Sequence, residues 1–175
     1  MRISGQTSGT SEFTLDIRSY QFPNAVARDD QDWDPEWLHV EGSVSTPKGH
    51  WKFSDACLTT FELETLAHWF RDLAAGKAPA AVDFTEPNLR FARQDESVVI
   101  WFSQEASPPW ATEDERFGDG VPVLFQFRKE EIDIATLSMA ELVMKFPMRN
   151  GFVLGSDSPP ERPAEERASW WQFWK

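Results

Sequence analysis

The chain has 175 residues, 17 basic against 29 acidic, for a formal net charge of −12 at pH 7. That length suits one domain, and 41% hydrophobic residues, including 14 Phe and 9 Trp, can bury a core that a disordered polar chain could not. The acidic balance argues against direct nucleic-acid binding, which draws its affinity from Lys and Arg on phosphates; it suits a basic protein partner and equally suits solubility alone.

From Glu12 to Tyr20, Phe13, Leu15 and Ile17 alternate with polar residues, which predicts a strand with one buried face. The stretch QFPNAVARDDQDWDPE follows, with two prolines and five acids, and reads as a long loop. Leu38, Val40 and Val44 alternate again in a second strand, in which Gly42 is expected to mark a bulge or kink. TPKGH is a turn, and WKFS from Trp51 starts a third strand, so a hairpin is expected.

The period then changes. In TTFELETLAHWFRDLAAGK the apolar Leu63, Leu66, Ala67, Phe70, Leu73 and Ala74 recur at three and four, the spacing of an amphipathic helix. Thr59 and Glu62 have the form of a capping box, and Gly76 is placed to end the helix. Beyond it, AVDFT and LRFAR read as strands on either side of a tight turn at Glu86, Pro87 and Asn88, where proline pre-sets the second position and asparagine tolerates the third. SVVIWFS reads as a strand buried on both faces, and Pro122 to Phe127 repeats that character. QEASPPWATEDERFGDG, between them, reads as an acidic loop. Ser138 and Glu141 open a short helical pattern that stops before Pro147.

These elements predict an α+β fold: a curled antiparallel sheet, a partial sandwich or barrel, packed against one main amphipathic helix over residues 1–155. Residues 156–175 read as a disordered Pro- and Glu-rich linker with an aromatic tail, Trp170, Trp171, Phe173 and Trp174. The tail suits either a partner groove or the chain's own domain. No apolar run approaches the ~20 residues of a membrane span, MRISGQTSGTSEF lacks a signal-peptide h-region, and the lone Cys57 cannot form an internal disulfide. A cytoplasmic protein is expected.

Candidate chemistry is sparse. Asp30, Asp32, Asp34 and Glu41 have calcium-loop offsets, but Pro35 stands where that loop needs glycine, and strand patterns flank it, so a solvated acidic loop is the better reading. His39, His50 and His68 have no ligand spacing with Cys57. No serine lies in a nucleophile elbow, and carboxylate pairs such as Asp83 with Glu86, or Asp95 with Glu96, arise by chance among so many acids. Cys57 is either activated by the helix start or a small buried filler, the latter being commoner. No cofactor is implied, and the protein is read as no enzyme. The loop tryptophans Trp33, Trp37 and Trp110 cover the ends of the sheet, anchor a partner, or stack on a carbohydrate or other small ligand.

The order YQFPN, WL-V, ACLTTFELETLAHWF and FTEPNLRF resembles the WapI-type bacterial immunity proteins from Phe13 to Phe91, with a looser fit through Phe127 and Pro147. The resemblance implies a protein that neutralises a cognate toxin domain by protein–protein contact, and it brings no catalytic residues with it. If the toxin is a basic nuclease, two acidic patches are candidates for the contact: Asp29, Asp30, Asp32, Trp33, Asp34 and Glu36, and Trp110 with Glu113, Asp114 and Glu115.

Overall fold

The computed structural model describes residues 1–4, 11–28 and 32–149. Its strands form two four-stranded antiparallel sheets, neither closed into a barrel. Sheet one runs β1 (Arg2–Ser4), β2 (Glu12–Tyr20), β3 (Trp37–Thr46), β4 (Gly49–Thr59) in sequential order. Sheet two runs β5 (Val82–Asp83), β6 (Leu89–Gln94), β7 (Ser97–Phe102), β8 (Val121–Gln126). The helices are α1 (Thr60–Ala74), α2 (Glu113–Phe117) and α3 (Lys129–Lys145). The class is α+β, as expected, with α3 a second long helix beside α1.

Aromatic rings join the layers. Phe13 on β2 meets Phe91, Phe102 and Phe125 of sheet two at centroid distances of 6.3, 5.5 and 6.0 Å. Trp51 and Phe53 on β4 reach Phe102 as well, at 5.3 and 6.3 Å. Trp69 and Phe70 bring α1 onto Phe91. Most of these pairs are edge-to-face, and such pairing adds to the stabilisation from the area the rings bury. The α1 start is as the sequence predicts: Thr59 Oγ1 accepts from the Glu62 N–H, and the Glu62 carboxylate accepts from the Thr59 N–H at 2.8 Å. Gly76, at φ +77°, ends it.

Gly42 is neither bulge nor kink. The register shifts instead near His39, between Ile17 and Ser19 on one side and at Leu38/Val40 on the other. Gly42 faces Phe53 across the β3–β4 pair, and a Cβ there would lie 2.1 Å from the Phe53 ring. Glycine is required because the ring occupies its side-chain space. Gly42→Ala should therefore destabilise by roughly 1–3 kcal/mol through overpacking, and Phe53→Leu in the same chain should recover part of that loss. Denaturant midpoints of the two single variants and the double variant check this; equal midpoints for G42A and the parent would mean the ring moves aside freely.

Three expectations are corrected. The segment 104–120 is not simply a loop: it holds a 3-10 turn at Gln104–Ala106 and then α2, which a Thr112–Glu115 capping box opens. The last helix begins at Lys129, well before Ser138. Its buried residues Ile132, Ala135, Met139 and Leu142 have helical spacing, but Ile134 and Leu137 between them are exposed, which blurs the amphipathic pattern. Finally, β8 is an edge strand with Leu124 exposed, whereas β7 is buried on both faces. An edge position tolerates Pro122, which has no N–H to give to a ladder.

Candidate partner-binding surface

The Glu86–Pro87–Asn88 corner joins β5 to β6 and does more than turn the chain. Asn88 is 1% exposed, and its side-chain amide donates to Asp55 Oδ2 at 3.1 Å and Glu105 Oε2 at 3.3 Å. The backbone carbonyls of Asn88 and Pro87 accept from the N–H and the hydroxyl of Ser103. The corner thus links β4 with the segment after β7. Burial holds the Asp55 carboxyl above its usual range, and the nearby Glu105 charge adds to this. Nearby, Cys57 is 1% exposed, and burial pushes its thiol well up. The reactive thiolate is disfavoured there, so Cys57 is the small core filler of the two readings.

The first acidic patch is organised inward. Asp29 and Asp30 lie outside the described residues. Asp32 accepts from Arg28 Nε at 2.8 Å and from the Arg28 N–H at 3.0 Å, and Asp34 meets the same guanidinium at 3.4 Å. Trp33 packs edge-on against Phe61 at 5.1 Å. Glu36, expected on the surface, is 2% exposed: its carboxylate takes the Thr60 hydroxyl and the Arg149 N–H, the latter at 2.9 and 3.2 Å. It joins the loop to the start of α1 and to the chain after α3. A partner cannot reach it.

The Arg28 guanidinium, then the Arg28 N–H, hold the Asp32 carboxyl down to about 2. A depressed folded-state value contributes stability above the unfolded carboxylate range, near pH 4, and loses it as pH falls toward 2. The Asp32 carboxyl carbon signal, followed by NMR, should titrate near 2. In Arg28→Gln the midpoint should rise toward the ordinary value; an unmoved midpoint would assign the shift to other groups.

The second patch faces outward. Glu113 and Asp114 sit exposed in the first turn of α2, and among the described residues neither is in an ion pair. Glu115 instead serves the cap: the Thr112 N–H at 2.8 Å and its hydroxyl at 3.0 Å hold the Glu115 carboxyl below its usual range. Trp110, two residues before the Thr112 cap, lies edge-to-face with Trp51 at 5.3 Å and beneath Lys48 at 5.6 Å. Gly49 at the β3–β4 turn leaves room for it, since a Cβ would approach within 2.7 Å. Phe117, which the sequence did not single out, projects from α2 with 62% of its surface exposed. The sequence signal was the capping box, which makes 113–117 a helix and so gives Phe117 a face.

The two patches do not form one surface. Trp37, just after Glu36, opens β3, and Thr46, at the turn beside Trp110, closes it. Their separation is about 30 Å at ~3.3 Å per residue. The tail residues Trp170, Trp171, Phe173 and Trp174 lie outside the described residues.

Among the described residues no group of three His, Cys, Asp or Glu side chains could hold a metal ion, and no helix is long and apolar enough to cross a membrane. Comparison with protein families matches residues 2–147 to the immunity protein WapI-like family. Comparison with curated proteins and with solved structures gives no match.

Proposed function

Since the chain belongs to the WapI-like immunity protein family, we propose that it binds and neutralises a cognate toxin domain by protein–protein contact, in the cytoplasm and without catalysis. The observation that carries this reading is the extent of the family match, 2–147, which takes in both sheets and all three helices of the described residues. The contact surface we assign is the α2 end: Phe117 and the half-buried Trp110 as apolar anchors, with Glu113 and Asp114 beside them. Interfaces favour aromatic anchors at the centre, and exposed like charges at the rim speed the approach of an oppositely charged partner. The net charge of −12 favours a basic toxin, such as a nuclease. The loop with Asp29, Asp30, Asp32, Trp33 and Asp34 is a second, separate contact for a partner large enough to reach it.

The test has two stages. Capture from the native cell should bring down a toxin-bearing protein, and co-expression of this chain with that toxin domain should restore growth; a toxin that kills equally with and without it would overturn the reading. With the partner in hand, Glu113→Gln with Asp114→Asn should slow association several-fold at low salt and much less at high salt. Phe117→Ala should speed dissociation about tenfold or more. Unchanged kinetics in both would move the contact away from α2.

A further inference from the structure

The outward face of α3 carries Ile134, Leu137 and Met144, exposed by 58%, 67% and 74%. At ~100° per residue they fall within about 80° of one another on the helix, opposite the residues packed inward. Single exposed apolar residues need no explanation, but three in one stripe along a helix form an uncovered face. Glu130 and Glu141 lie along the same side and are exposed.

We propose that this stripe is the docking site of the chain's own aromatic segment, Trp170, Trp171, Phe173 and Trp174. Three observations support it. Trp170, Phe173 and Trp174 have the i, i+3, i+4 spacing that sets apolar anchors on one side of a helix laid against another surface. Arg149, the last described residue, is held at a fixed point near the end of α3. There the Arg149 N–H is held by Glu36, its guanidinium donates to the Phe22 and Pro23 carbonyls at 3.0 and 2.6 Å, and Tyr20 lies under it at 4.5 Å. From that point the stretch 150–169 supplies about 20 residues, a contour of at most roughly 65 Å at ~3.3 Å per residue. The stripe from Ile134 to Met144 is about 15 Å long, so the intervening residues are long enough for the aromatic segment to reach all of it.

Charge separates this occupant from a second copy. Two chains of net charge −12 repel each other, whereas residues 157–175 carry four acids and three bases, with Lys175 next to the aromatics and Glu130 and Glu141 along the stripe. This inference does not depend on which toxin is bound, or on whether one is.

Methyl-labelled NMR of the full chain tests it. The Ile134, Leu137 and Met144 methyl signals should be displaced by aromatic ring currents and return toward ordinary positions in Trp170→Ser/Trp174→Ser. In Ile134→Glu/Leu137→Glu, chymotrypsin should cut at the aromatic segment roughly tenfold faster than in the parent, because cleavage follows the population of the open form. Methyl signals indifferent to the tail substitutions would overturn the proposal. So would displacement that grows with protein concentration, which would assign the stripe to a second copy.

Discussion

Glu62→Ala should destabilise the domain by roughly 3 kcal/mol or more, since each buried donor left unpaired costs about 1–3 kcal/mol. The Glu62 carboxylate is buried and accepts three hydrogen bonds: from the Thr59 N–H at 2.8 Å, the Thr59 hydroxyl at 2.9 Å and the Thr85 N–H at 2.6 Å. Two of these cap α1, and the third ties the segment before the Glu86–Pro87–Asn88 corner to the helix start. The substitution therefore strikes two elements at once. Glu62→Gln keeps one acceptor oxygen and should cost about half as much. Urea unfolding reads both variants as a lowered midpoint with an unchanged slope. A loss below about 1 kcal/mol for Glu62→Ala would show that other groups satisfy these donors.

Phe102→Ala should be the most damaging single core substitution, at roughly 3–5 kcal/mol. Its ring stands where the two sheets meet, against Phe13, Trp51, Phe53 and Phe125. Small domains are stable by only about 5–15 kcal/mol, so this variant should sit close to its unfolding threshold at ambient temperature. Phe102→Leu keeps most of the volume and should cost about 1.5 kcal/mol or less. Chemical denaturation of the pair separates lost volume from lost ring packing. If both lose the same amount, the edge-to-face contacts and not the filled space hold the sheets together.

The two acidic patches differ in a way the sequence did not disclose. Both are runs of carboxylates beside a tryptophan, and charge counting gives them equal weight. In the folded chain Asp32 and Asp34 share Arg28, and Glu36 is buried under Thr60 and Arg149, residues 24 and 113 positions away. Glu113 and Asp114 remain exposed. Whether a carboxylate is available to a partner depends on which cation or donor the fold brings to it: for Asp32 and Asp34 that is the nearby Arg28, but for Glu36 the donors are distant in sequence.

Local features were legible from the residues alone. The β2 strand, the α1 helix with its Thr59–Glu62 box, the Gly76 stop and the double-sided burial of β7 all follow from period, caps and turn chemistry within a few residues of one another. So does membership of the family, since the ordered motifs from YQFPN to FTEPNLRF lie within the matched residues 2–147. Contacts between distant segments were not legible. The division of the strands into two sheets, the Phe53 ring in the space of Gly42, the burial of Glu36 and Asn88, and the early start of α3 at Lys129 each depend on what packs on the other side. A residue's period and propensity belong to its neighbours in sequence, but its burial and its hydrogen-bond partners belong to its neighbours in space, and only tertiary packing chooses those.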